Sequence, residues 1–190
     1  MSSNKQLALF QGETLLARAV RVAHDSGVGD VRVVLGYRAD ELAAHVGLYA
    51  SIVFNDDWQE GIASSIRAAV KELKIANYDA VLFTTVDQPF VDKEHLRALV
   101  ALFKSDAPQV VASRYGSPEI YGIPAIFSKD TFDKLLELEG DKGAKQIIAS
   151  SNARYVDAPM ARFDIDTHKD LEECRAKAEK AKSVSPMYIS

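Results

Sequence analysis

A chain of 190 residues with 47% apolar and 26% charged side chains can bury one core, and is short for two ordinary domains. A net charge of -4, with acids and bases interspersed, argues against a nucleic-acid or membrane-surface binder and for a small-molecule partner. A single cysteine, Cys174, rules out an internal disulfide, and no Cys/His cluster has zinc spacing.

The elements alternate along the chain. Glu13-Thr14 opens a helix whose apolar residues Leu15, Leu16, Ala19, Val20 and Ala23 share one face, and Gly27 ends it. Val31 to Leu35 is a short β-branched run, expected as a buried strand. Ala39 to Val46 reads as a helix and Ser51 to Phe54 as a strand. Ile62, Ile66, Ala69, Val70 and Leu73 form another helical stripe. Ala80 to Val86 is apolar but for two threonines and is expected at the centre of the sheet. Asp92 should cap a helix with core residues Leu96, Leu99, Val100 and Phe103. Gln109 to Ser113 and Pro124 to Phe127 read as strands, and Ser128 as the cap of a helix using Phe132, Leu135 and Leu136. A last helix spans Thr167 to Lys182, with a loose tail over 183–190. Residues 1–182 are therefore expected to form one α/β domain. It should be a Rossmann-like, doubly wound, mostly parallel sheet with helices on both faces. The N-terminal residues lack the pattern of a signal peptide and no window reaches membrane-spanning length, so the expected location is the cytoplasm.

Open α/β sheets bind ligands beyond the carboxyl ends of their strands, which directs attention to polar residues following apolar runs. Asp87, in Thr84-Thr85-Val86-Asp87-Gln88-Pro89, directly follows a strand. A carboxylate there can hold Mg²⁺ through one oxygen while the ion keeps waters and phosphate oxygens. It could equally form an Asx turn or a helix-entry cap, although Asp92 is better placed to cap. Asp164 and Asp166 lie two apart on an extended segment and project to one face, which suits a divalent cation. One of them could instead cap the last helix, but Thr167 with Asp170 already resembles a capping box.

Two further segments are candidates. Asn55 to Ser65 delivers Gly61, Ser64 and Ser65 into the first turn of a helix, where they can meet a phosphate or a base edge, or simply cap the helix. Gly140-Asp141-Lys142-Gly143-Ala144-Lys145 can cradle an anion, or can be a helix end followed by solvated lysines. No Walker A and no G-x-G-x-x-G pattern is present.

Taken together and in order, these segments resemble the molybdenum cofactor cytidylyltransferase group of the nucleotidyltransferase superfamily, whose fold is that of the nucleotide-diphospho-sugar transferases. The matching stretches are Lys5-Gln6-Leu7, Gly12 to Leu16, Val33 to Gly36, Asn55 to Ser65, Asp87-Gln88-Pro89, Gly122-Ile123-Pro124, Gly140 to Lys145 and Asp164 to Thr167. The resemblance implies transfer of a nucleoside monophosphate from an NTP to a phosphorylated acceptor, with release of pyrophosphate. It places Mg²⁺ on Asp87 and Asp166 and Lys5 on the triphosphate, with Lys5 and Asp87 carrying catalysis. Gly61, Ser64, Ser65, Gln88 and Pro89 would lie along the nucleotide, and Lys142 and Lys145 at the acceptor's phosphate. Asp-Gln-Pro after the strand looks more like the cytidylyl than the guanylyl branch, which favours CTP and a molybdopterin-type acceptor, with a molybdoenzyme as a candidate partner.

The sequence departs from the family pattern at its start. The family opens with a strand and a Gly-rich, Arg-containing triphosphate loop, and Met1 falls near the end of that motif. A start assigned too late, a truncation and a natural loss of catalysis are the accounts this leaves. Three other readings compete: a guanylyltransferase of the same superfamily, a sugar-nucleotide or glycosyltransferase enzyme using Asp164-x-Asp166, and a non-catalytic cofactor-binding homologue.

Overall fold

The computed structural model describes residues 5–116 and 120–184. After a 3-10 turn at Lys5–Leu7, a two-residue hairpin pairs β1 (Leu9–Phe10) with β2 (Glu13–Thr14). Its turn residues Gln11 and Gly12 both have positive φ, 53° and 87°, which matches the twist of the flanking strands. The Thr14 hydroxyl then accepts the Ala17 N–H at 3.1 Å and starts α1 (Leu15–Ser26), which ends at a left-handed Gly27.

β3 (Arg32–Leu35) leads into α2 (Ala39–Ala43), which stops short of Val46 because the chain tightens into i+3 bonds from His45 and Val46. β4 (Ser51–Phe54) pairs in parallel with β3. α3 (Ile62–Ile75), β5 (Ala80–Phe83) and α4 (Lys93–Asp106) follow, α4 being capped by Asp92 on the His95 N–H at 2.8 Å. Then come β6 (Val110–Arg114), β7 (Tyr121–Ser128), α5 (Phe132–Leu136), α6 (Lys145–Ser150), β8 (Arg154–Asp157) and α7 (His168–Val184).

The strands form a parallel pair, β3–β4, and a four-stranded sheet in the order β5-β7-β6-β8. β6 and β8 are parallel, and β7 runs against both of its neighbours. Successive residues of β6 and β7 point to opposite faces. Val110, Ala112, Ala125 and Phe127 pack under α3, α5 and α6, whereas Val111 and Ile126 pack under α1 and α4. Each large apolar side chain buried this way contributes about 1.5–3 kcal/mol. The α/β class with helices on both faces is as expected from the sequence.

Several local expectations are corrected. β5 is not central: it is the edge of its sheet and its four residues stay half-buried, while Thr84 to Val86 leave the sheet. No ladder joins β5 to β3 among the described residues, so the strands fall into separate sheets. The two are nevertheless held near each other. Arg32 donates to the Tyr78 hydroxyl at 3.1 Å at one end, and Val86 packs against the cluster containing Leu35 at the other. Ser128 does not cap a helix: its hydroxyl has no partner, and a 3-10 turn over Lys129–Thr131 precedes α5. α7 runs two residues into the expected tail, and residues 185–190 lie outside the described ones. No helix among the described residues is long and apolar enough to cross a membrane.

Candidate active site

Asp87 leaves the end of β5 and Asp166 precedes α7, and the main chain ties the two segments together. The Ile165 N–H donates to the Asp87 carbonyl at 2.9 Å. Ile165 is fully buried, packed with Phe10, Leu15, Leu171 and Cys174. Its exposed neighbours Asp164 and Asp166 therefore point away from the core, as the alternation of an extended segment requires. The start of α7 adds rigidity. Asp170 accepts the Thr167 N–H at 2.7 Å while the Thr167 hydroxyl accepts the Asp170 N–H at 3.2 Å, so the capping box is present and leaves Asp166 outside it as a cap.

Lys5 reaches this pair from the first turn of the chain. Its ammonium donates to Asp87 Oδ2 at 2.8 Å and to Asp166 Oδ1 at 2.9 Å. Partial burial works against the charge, but the hydrogen bonds to Asp166 and Asp87 outweigh it, so the Lys5 pKa is raised. The Asp164 carboxyl is shifted up as well, by burial first and then by Asp87 and Asp166. The structure thus brings Lys5, Asp87 and Asp166 together. Among the described residues no three His, Cys, Asp or Glu side chains form a full metal cage. Two carboxylate oxygens already sharing one cationic group do fit a divalent ion that keeps waters and takes phosphate oxygens.

Gln88, expected along the nucleotide, is turned into the protein. Gln88 is only 7% exposed, and its amide nitrogen donates to the carbonyls of Ala161 and Ile123 at 2.8 and 3.1 Å. The Tyr115 hydroxyl donates to the same Ile123 carbonyl. Gln88 is a strut between the Asp87 turn, β7 and the segment before Asp164, with its amide hydrogens already spent. The Pro89 carbonyl accepts from Arg18 Nε at 2.8 Å.

The second segment assembles at the start of α3. Asn55, buried at the end of β4, donates to Ser64 Oγ at 2.8 Å and Ser65 Oγ at 3.0 Å, and accepts the Asp57 N–H at 3.1 Å. Ser64 in turn donates to the Gly61 carbonyl at 2.8 Å, so its hydroxyl shapes the turn and is not open to a ligand. Ser65 is half-buried and keeps its hydroxyl hydrogen. The Ala63 N–H is taken by the Gly140 carbonyl at 3.0 Å, so a distant turn satisfies that donor at the start of α3.

That contact also places the Gly140 to Lys145 segment. Gly61 has φ 121°, and a Cβ there would fall 2.6 Å from Gly140 O. Glu60 accepts the Gly140 N–H at 3.1 Å and pairs with Arg67, which also donates to Leu138 O at 2.6 Å. Arg67 and that N–H hold the Glu60 carboxyl down at about 2. Lys142 and Lys145 are exposed beyond this junction, Lys145 as the first residue of α6. Neither reaches a carboxylate within 4 Å among the described residues.

Two residues escaped notice in the sequence. Arg18 lies half-buried beside the small cavity lined by Leu15, Ala19, Val22 and Thr84 to Val86, and its charge is disfavoured by burial. The signal was a charge three residues after Leu15, on the apolar stripe of α1. Tyr115 left no comparable pattern.

With this geometry in view, residues 1–157 match the model of the MobA-like NTP transferase domain family. Over 166 residues the chain is 27% identical to the purine catabolism protein PucB of Bacillus subtilis, a match spanning 79% of this chain and 75% of that protein. A solved structure of Rv0371c from Mycobacterium tuberculosis, in complex with manganese, is 25% identical with a TM-score of 0.76, covering 90% of this chain and 91% of that one. A nucleotidyl transferase from Methanothermobacter is 22% identical with a TM-score of 0.76, covering 93% and 86%.

Proposed function

Since the chain belongs to the MobA-like NTP transferase family, we propose that it transfers CMP from CTP to a phosphorylated acceptor of the molybdopterin type, with Mg²⁺ as the working cation. The observation that carries this reading is the convergence of Asp87 and Asp166 on one cationic group beyond the end of β5. That Rv0371c was solved in complex with manganese supports a divalent ion as the partner of these acids.

The acceptor phosphate is already a nucleophile. One of its oxygens attacks the α-phosphorus, the bond from that phosphorus to the bridging oxygen breaks, and pyrophosphate leaves. The enzyme's task is alignment and charge neutralisation. A bound divalent cation supplies Lewis-acid stabilisation of the phosphate oxygens. Asp87 and Asp166 hold it, and Lys5 offers its ammonium to the triphosphate. Ser65 and the Gly61 turn face the nucleotide, with Asn55 and Ser64 fixing their positions, while Lys142 and Lys145 receive the acceptor's phosphate. Preference for CTP rests on Asp87-Gln88-Pro89. Because Gln88 is buried, that preference acts through the turn it shapes and not through its own amide.

The experiment is calorimetric titration of CTP and GTP, each with Mg²⁺, into the wild type and Asp87→Ala. It is followed by pyrophosphate release with a molybdopterin-type acceptor. Tighter CTP binding that collapses in the variant supports the reading. Preference for GTP would move the chain to the guanylyl branch, and absence of nucleotide binding by folded protein would refute it.

A further inference from the structure

The Lys5 ammonium does more than neighbour the acidic pair, because it fills the space between the two carboxylates. It lies 2.8 Å from one oxygen of Asp87 and 2.9 Å from one of Asp166, within range of charge-assisted hydrogen bonds to both. The two acids are 79 positions apart in sequence, and the backbone bond from Ile165 to Asp87 brings their segments close. Left alone they would repel each other.

The lysine's anchoring is asymmetric. Its backbone is held in the 3-10 turn by the Ala8 N–H at 3.0 Å, and Leu7 packs beside Leu16 and Leu35. Its side chain, by contrast, is 29% exposed and is a flexible four-carbon stem. The head can leave without the turn moving.

We propose that Lys5 is a tethered counter-ion, neutralising the Asp87–Asp166 pair until a divalent cation expels it. The inference rests on the metal-dependent reading above and adds an order of events. Arrival of the cation and release of the ammonium are one exchange, so the site gains the metal's charge and frees the lysine head for phosphate oxygens at the same moment. The lysine therefore opposes metal binding even though it serves the same reaction. A residue that merely shaped the site would do the reverse.

The test uses Mn²⁺ alone as the probe, with electron paramagnetic resonance titration of the wild type, Lys5→Met and Lys5→Arg at one pH and ionic strength. Removing a competing unit charge at a half-exposed site should tighten Mn²⁺ binding by roughly tenfold in Lys5→Met. Lys5→Arg, which keeps the charge, should stay near the wild type. In parallel, acetylation of the Lys5 amine in the wild type, read by mass spectrometry, should rise several-fold when Mn²⁺ is added. Equal or weaker Mn²⁺ binding by folded Lys5→Met overturns the proposal and leaves the metal site standing. If Lys5→Met does not fold, unchanged Lys5 labelling at saturating Mn²⁺ overturns it instead. No Mn²⁺ binding by any of the three proteins removes the metal reading and this inference together.

Discussion

Ile165 donates its backbone N–H to the carbonyl of Asp87 at 2.9 Å, and this bond ties the acidic turn after β5 to the acidic segment before α7. That tether is made of backbone atoms, so neutralising either carboxylate leaves it in place. Asp87→Asn and Asp166→Asn should therefore keep the fold, with unchanged circular dichroism and near-native melting, while lowering kcat/KM by about 10²-fold through lost charge stabilisation. Steady-state kinetics beside a thermal melt separate the two effects. Unfolding of both variants would show that the carboxylates are structural.

Gly61 occupies a backbone region that other residues adopt only under strain, and a Cβ there would meet Gly140 O at 2.6 Å and Gly140 C at 2.7 Å. Gly61→Ala should cost about 1–3 kcal/mol, visible as a fall in Tm on the order of 2–4 °C per kcal/mol. The 138–141 turn should become more sensitive to protease. A variant as stable as the wild type would mean that the turn yields freely.

Asn55 is buried, donates to the two serines at the start of α3 and accepts the Asp57 N–H of the turn before it. Asn55→Ala strips Ser64 and Ser65 of that donor and should cost roughly 1–3 kcal/mol in urea denaturation. Nucleotide affinity should fall with it, since Ser65 loses its fixed position. Loss of stability without loss of affinity would argue against Ser65 facing the nucleotide.

His95 gives the fold a pH dependence. Its Nε2 lies 2.7 Å from Ser113 Oγ, which donates onward to Pro124 O, so Nε2 carries the hydrogen and Nδ1 is the site that protonates. Burial lowers the His95 pKa, against a weaker opposing pull from Asp92. In the window between the depressed folded value and the ordinary 6.5, the unfolded chain binds more protons. Stability from this group is thus intact above about 6.5 and lost as pH falls through that window. Denaturation midpoints measured from pH 7.5 down to 5.5 should decline, with a shallower slope in His95→Gln. Identical slopes would assign the decline to other groups.

Much of the local architecture was legible because caps and stripes are local. Thr14, Gly27, Asp92 and the Thr167–Asp170 box all act within four residues, and the apolar faces of α1, α3 and α4 follow a 3.6-residue period. Strand order is not local. β5 reads as a central strand because Ala80 to Val86 is apolar, yet its position at an edge depends on which strands pair with it. β8 is four residues of mixed burial and carried no period strong enough to notice. The site shows the same divide. Asp87 and Asp166 stood out by their place after apolar runs, whereas the spending of Ser64 and Gln88 on internal hydrogen bonds depends on Asn55, Ala161 and Ile123, which no spacing rule connects to them.

The separation of β3 from β5 among the described residues predicts an effect of protein concentration on self-association. Each strand has one side paired and one side with a row of backbone donors and acceptors that meet no described strand. Such rows are templates for any extended peptide. Dilute and concentrated samples should therefore differ in sedimentation, and short β-prone peptides should act as competitors for self-association.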